Sequence, residues 1–166
     1  MRLFIVRHAK AADRDIHTLS SDALRPLTAG GEAKFQRLAK RLKKLFDPPQ
    51  VVLASGYVRA WETARILQES AAWPAATRCG ALECDALGAA ESLADTLHEC
   101  NEDSIGLVGH EPFLSEFIAR AIGADPGSIV MDKGAVAVIE LDRSLRGGSL
   151  CALVSPGWIA RASSNR

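Results

Sequence analysis

The sequence predicts an α/β layer fold, and three observations carry the prediction. Short apolar runs alternate with longer amphipathic segments along most of the chain, the pattern of strands layered with helices. Three of the short runs, LFIV (Leu3–Val6), VVLA (Val51–Ala54) and SIGLVG (Ser104–Gly109), are apolar almost throughout, as buried strands are. Two further strand-like runs follow each other closely near the end, which suggests an antiparallel pair at one side of the sheet.

In chain order, Leu3–Val6 is the first strand. Residues 11–27 are polar, contain SSDALRP and read as a loop. Thr28 is a candidate cap for a helix running to about Phe46, with Phe35, Leu38, Leu42 and Leu45 on one face; DPP (Asp47–Pro49) ends it. Val51–Ala54 is the second strand, and a helix follows from about Val58 to Ser70. A weak strand is expected near Thr77–Leu82 and a helix from Ala89 to about Cys100, with Leu93 and Leu97 four residues apart. After the strand Ser104–Gly109, a helix begins at Pro112, since proline suits a first turn, and runs to Ile122. GAVAVIEL (Gly134–Leu141) and SLCALVS (Ser149–Ser155) form the late pair, joined by the turn-rich DRSLRGG. Only the tail SSNR reads as low in complexity.

Size and charge bound the function. The chain has 166 residues, 48% of them hydrophobic, which suits one compact domain spanning 1–166. It carries no formal net charge, so nothing favours bulk binding to nucleic acid or anionic membrane; an anion must be held by a local cluster. No apolar run approaches the roughly 20 residues of a membrane span, and Leu3–Val6 is too short for a secretory signal. A cytoplasmic location is the expectation. Four cysteines (Cys79, Cys84, Cys100, Cys151) match neither a redox pair nor a paired zinc pattern, and free thiols are expected.

Ligands of open α/β sheets bind beyond the carboxyl ends of the strands. Arg7 and His8 follow the first strand, Ser55 and then Arg59 follow the second, and His110 with Glu111 follows Ser104–Gly109. Three strand ends therefore deliver two arginines and two histidines to one edge. Guanidinium forks bind phosphate oxygens, a histidine can attack phosphorus and carry the phosphoryl group, and a second histidine can stabilise the transferring charge. No metal or other cofactor is required if those cations are in place. Taken singly, each residue has a plainer role: the arginines as surface ion-pair partners, the histidines as polar residues at a helix start. Two histidines can also bind zinc, but a third ligand is needed, and His17 and His98 show no convergence.

Four segments then resemble one family. VRHAK (Val6–Lys10), SGYVRAWETA (Ser55–Ala64) and LVGHEP (Leu107–Pro112) resemble the motifs of the histidine phosphatase superfamily, which has the phosphoglycerate mutase-like fold. RPLTAGG (Arg25–Gly31) resembles its short bacterial branch, the SixA-like phosphohistidine phosphatases. The resemblance implies a three-layer α/β/α sandwich with a mostly parallel sheet and one antiparallel strand. It implies His8 as a nucleophile that becomes phosphorylated, Arg7 and Arg59 as the phosphoryl clamp, His110 as stabiliser of the transferring group, and Arg25 as a further pocket residue. Glu83 and Glu111 are both candidates to protonate the leaving group; Glu111 can equally sit at a helix start, where a negative charge is favourable.

The implied enzyme is a metal-independent phosphatase. Its expected substrate is phosphohistidine on a phosphorylated carrier or phosphotransfer protein, because an imidazole leaves with less help than an alkoxide. A small phosphate ester is the alternative substrate, and a non-catalytic phosphate-binding module the alternative class.

Overall fold

The computed structural model describes residues 1–13, 21–83, 89–125 and 127–163. His17, Cys84 and residues 164–166 of the polar tail lie outside these. Among the described residues six strands form one sheet: β1 (Arg2–Arg7), β2 (Val51–Ala54), β3 (Ala76–Arg78), β4 (Ser104–Gly109), β5 (Val136–Glu140) and β6 (Ser149–Val154). Their order is β3-β2-β4-β1-β5-β6. β3, β2, β4 and β1 pair in parallel, and β5 runs against both β1 and β6. This is the mostly parallel sheet with one antiparallel strand.

Among the described residues five helices cover the sheet: α1 (Ala29–Leu45), α2 (Val58–Ala71), α3 (Ala89–Glu99), α4 (Phe113–Ile122) and α5 (Pro156–Ser163). Alternation along β1 divides the core. Leu3 and Ile5 pack with Leu93 and Leu97 of α3 and Leu114 and Ile118 of α4. Phe4 and Val6 pack on the other face with Phe35 and Leu38 of α1 and Ile66 and Leu67 of α2. Both faces of β1 are therefore dry between Leu3 and Val6, which is why that run is apolar without a break. Among the described residues no helix is long and apolar enough to cross a membrane, and Cys79, Cys100 and Cys151 are free.

Several boundaries differ from the sequence reading. Thr28 caps α1 as expected, its Oγ1 accepting from the Gly31 amide at 3.0 Å, but Leu45 is 62% exposed, and Leu42 and Phe46 face the core at that end of the helix instead. The expected strand near Thr77–Leu82 is the three-residue edge strand β3 followed by a 3₁₀ turn, Gly80–Leu82. The loop 11–27 contains a 3₁₀ turn at Asp22–Leu24 and a bridge between Ala11 and Leu27. Helix α5 was not anticipated. It is short and begins at a proline, and its Trp158 is 58% exposed, so little apolar periodicity marks it.

Candidate active site

The register of the two central strands builds the site. β1 and β4 pair with Arg7 opposite Gly109, so the residues that follow, His8 and His110, emerge side by side. Their ring centroids are 5.1 Å apart. The ladder extends one step past the strands, with the His8 amide donating to the Gly109 carbonyl at 3.0 Å. The neighbouring strand β2 delivers Ser55, and the first turn of α2 delivers Arg59. His8, His110 and Arg59 are 6%, 2% and 3% exposed.

His8 is held in one tautomer. Its Nδ1 lies 2.7 Å from the Ala9 carbonyl, which can only accept. Its Nε2 lies 3.3 Å from Arg59 Nε, which can only donate. The proton is therefore on Nδ1 and the lone pair on Nε2. Burial pushes the His8 pKa from 6.5 down to about 4, against a raising contribution from the Ala9 carbonyl and with Arg59, Arg7 and Arg25 lowering it further. A neutral imidazole whose Nε2 lone pair is only lightly held, by a long contact from Arg59, suits nucleophilic attack.

His110 is held from β2. Its Nε2 lies 2.9 Å from Ser55 Oγ, and Ser55 Oγ already accepts the Tyr57 amide at 3.2 Å. When the Ser55 hydroxyl donates to Nε2, the His110 proton sits on Nδ1. That Nδ1 is buried with no hydrogen-bond partner. Burial and the charge of Arg59 lower the His110 pKa to about 3, so the ring is neutral yet still offers one N–H. Tyr57 packs against it, with ring centroids 5.1 Å apart, and carries the Arg59 guanidinium over its own ring at 5.0 Å, a cation–π contact.

Arg7 donates through Nη1 to the Met131 carbonyl at 2.6 Å, while its Nε is buried without a partner. Thr63, one turn beyond Arg59, accepts the Ala9 amide at 3.0 Å and donates to the Arg59 carbonyl at 2.7 Å, tying the backbone after His8 to α2. That explains the threonine of the SGYVRAWETA segment. Gly31 is needed because a Cβ there would run into the Lys10 carbonyl, which accepts from the Thr28 amide at 2.9 Å and Thr28 Oγ1 at 3.1 Å.

The other candidates lie further out. Arg25 donates from Nη1 to the Ala12 carbonyl at 3.0 Å and pairs with Asp22. Glu83 Oε1 accepts from Arg78 Nε at 2.8 Å. It lies against Gly56, where a Cβ would come within 2.8 Å of that oxygen, so Glu83 stands beside the loop that carries Ser55. Glu111 is turned onto the start of α4, with Oε1 accepting from the Ser115 amide at 3.1 Å and Oε2 from the Ser115 hydroxyl at 2.6 Å. Among the described residues no three His, Cys, Asp or Glu side chains stand together as a metal ion would need, and His98, on α3, is hydrogen-bonded to the Arg143 carbonyl instead. Sequence reasoning missed Asp22, Tyr57, Thr63 and the Met131 carbonyl. Asp22 sat within the quoted SSDALRP, but nothing in its spacing linked it to Arg59.

Two buried imidazoles and two guanidiniums gathered at neighbouring strand ends are groups that can hold a phosphoryl group. The family comparison agrees. A model of the histidine phosphatase superfamily (branch 1) matches residues 3–93, and the chain belongs to that superfamily. Its likeness is to the SixA-like branch. The structure of the protein histidine phosphatase SixA complexed with tungstate matches with a TM-score of 0.81 and 27% identity, over 96% of this chain and 99% of that one. An uncharacterized protein of Picosynechococcus sp. is 30% identical over 165 residues, covering 96% of this chain and 99% of its own. A structure described as a putative alpha-ribazole-5'-P phosphatase from Escherichia coli K-12 shares the fold, with a TM-score of 0.73 and 23% identity over 94% and 98% of the two chains. The protein is a hydrolase acting on phosphate esters.

Proposed function

We propose that this phosphatase works without a metal through a phospho-His8 intermediate, and that its substrate is phosphohistidine on a signalling or carrier protein. One observation carries the reading of the site. Among the described residues, the buried side-chain nitrogens and oxygens that lack a hydrogen-bond partner are Arg7 Nε and His110 Nδ1. An unmet buried donor costs about 1–3 kcal/mol. Both belong to residues that flank His8, and a phosphoryl group seated there would satisfy both.

In the proposed reaction His8 Nε2 attacks phosphorus in line. The Arg59 Nε–H, which rests on that lone pair, moves to a phosphoryl oxygen, with Arg7 Nε–H and His110 Nδ1–H on the others. A P–N bond forms as the bond to the leaving group breaks, and the leaving group departs with the electron pair and takes up a proton. Water then attacks phospho-His8, the P–N bond breaks, and phosphate leaves. Fixed donors aimed at developing charge supply the stabilisation. Two arginines provide the positive charge that a metal provides elsewhere, and EDTA should leave turnover unchanged.

Phosphohistidine is supported by the resemblance to the SixA-like branch and by the chemistry of its leaving group. An imidazole departs readily once protonated, so the first step does not depend on a strong acid. Residues Gly56, Val58, Trp61, Glu62, Arg65 and Arg78 line a groove of about 470 Å³ beside the Ser55 loop, room for polypeptide around a phosphorylated side chain. A small phosphate ester is the second reading. What favours it is Glu83 beside that loop, a carboxyl able to protonate an alkoxide; Glu83 is supported over Glu111 because Ser115 holds both Glu111 oxygens.

The test is His8→Ala. It should lower turnover by about 10⁴-fold or more and remove an acid-labile phosphoenzyme that forms in the wild type, with the thermal melt checked alongside. Normal turnover in a folded His8→Ala protein would sink the reading. Comparing kcat/KM for a histidine-phosphorylated carrier domain against sugar phosphates and α-ribazole-5'-phosphate decides the substrate class.

A further inference from the structure

Asp22 opens the 3₁₀ turn Asp22–Leu24, and Ser21 Oγ holds that turn by accepting from the Ala23 amide at 3.3 Å. Its backbone carbonyl accepts from Arg59 Nη1 at 2.7 Å, and its Oδ2 lies 2.9 Å from Arg59 Nη2. Its other oxygen, Oδ1, is 3.1 Å from Arg25 Nε and 2.9 Å from Arg25 Nη2. One residue thus holds Arg59 at both terminal nitrogens and shares its carboxylate with a second arginine.

A guanidinium is planar and rigid, so fixing two of its nitrogens aims the third. With both Nη atoms on Asp22, the Nε–H points to His8 Nε2. The anchor is itself anchored. The Ala12 amide donates to the Pro26 carbonyl at 2.9 Å, the Leu27 amide donates to Glu62 Oε2 at 2.8 Å, and Arg25 Nη1 reaches the Ala12 carbonyl. Burial works to raise the Asp22 carboxyl, but Arg59 and Arg25 together hold it below the ordinary carboxylate range.

We infer that Asp22 is a positioning residue for phosphoryl transfer: it turns Arg59 so that its Nε edge faces the nucleophile, and it sets Arg25 beside it with the same carboxylate. The inference rests on the proposed site. Arg59 then turns its Nε–H edge to the transferring group, while Asp22 takes up one N–H from each Nη. Together with Arg7 Nε and His110 Nδ1, that makes one donor for each of the three equatorial oxygens of the transferring group. Asp22 also cancels one of the three guanidinium charges, so two positive charges remain opposite a phosphoryl dianion.

The experiment measures kcat, KM and melting temperature with p-nitrophenyl phosphate, whose leaving group needs no acid, for Asp22→Ala and Asp22→Asn in the wild-type and Arg59→Lys backgrounds. Asp22→Ala should lower kcat about tenfold to a hundredfold while KM changes by less than about threefold. Asp22→Asn keeps one acceptor oxygen and should fall between. In the Arg59→Lys background there is no fork to aim, and Asp22→Ala should cost no more than about twofold, the non-additivity expected of residues acting through one another. An equal loss of kcat in both backgrounds, tracking melting temperature, would make Asp22 merely structural and overturn the inference; so would an unchanged kcat in a wild-type background. If Arg59→Lys were itself as active as the wild type, the proposed clamp would fail first, and this inference with it.

Discussion

The floor of the site and its rim are built on different terms. On the floor, His8, Arg59 and His110 are almost fully buried, and each is set by the strand ladder or by the first turn of a helix. At the rim, Glu83 and Arg78 pair at 2.8 Å with side chains 21% and 69% exposed, and they sit on a turn and a short edge strand. A buried polar group must find a partner or keep a place for one, so the floor's geometry is tightly specified. An exposed ion pair contributes at most about 1 kcal/mol and constrains little. Sensitivity to substitution should therefore fall steeply from floor to rim wherever a rim side chain does not itself hand a proton to the leaving group.

The largest effect that tests this gradient is on the clamp. Arg59→Lys keeps the charge but loses the planar fork, and with it the simultaneous contacts to His8 and Asp22. We expect kcat/KM to fall about 10²–10³-fold, the scale of losing one preorganised donor to transition-state charge, with little change in KM. Arg78→Lys at the rim should change kcat/KM less than about twofold. Similar losses at the two positions would erase the distinction between floor and rim.

Protonation sharpens the same contrast. Burial lowers the pKa of His8 to about 4 and of His110 to about 3. Both rings bind their protons more weakly in the folded chain than in the unfolded one, where the ordinary value is 6.5. The stability they favour is fully present above pH 6.5 and is lost as pH falls toward 4 and then 3. Histidine ring signals followed by NMR should titrate at those depressed midpoints. In the kinetics, an acid limb near pH 6 would come from the second ionisation of the substrate phosphate, which lies at about 6, and not from His8. A His8 midpoint near 6.5 would mean that the floor is wetter than its burial implies.

Legibility in the sequence followed the same division. The floor was readable because it obeys two local rules: buried strands are continuous apolar runs, and the residue after such a run lies at the ligand edge of the sheet. Arg7, His8 and His110 satisfy both, and Arg59 lies in the first turn of the helix after the second run. What could not be read depends on side-chain direction across long sequence gaps. Asp22 meets Arg59 thirty-seven positions away, through a turn whose spacing carries no periodic signal. Arg7 is gripped by a main-chain carbonyl, Met131, and a carbonyl has no residue type to recognise. Helix α5 escaped for a different reason, since it begins at a proline and leaves Trp158 in solvent. Glu83 and Glu111 were indistinguishable until their partners were known.

Those two carboxylates give the finest test, because they compare the rim beside the Ser55 loop with a helix start one residue from His110. Glu83→Gln removes the acid but keeps the shape, so kcat/KM for an alkyl phosphate should fall about 10²-fold or more, the scale of general acid catalysis. For a phosphohistidine carrier domain, whose imidazole leaves with little help, it should fall less than about threefold. Glu111→Gln should do neither. Its oxygens accept from the Ser115 amide and hydroxyl, an arrangement that serves the unmet amides of the first turn of α4. Losing the charge there should cost about 0.3–1 kcal/mol of stability, read as a small drop in melting temperature with kcat within about twofold on either substrate. If Glu111→Gln gave the leaving-group-dependent loss instead, the proton would have to come from the α4 side of the sheet, and adjacency to His110 would outweigh the hydrogen bonds that tie Glu111 to its helix.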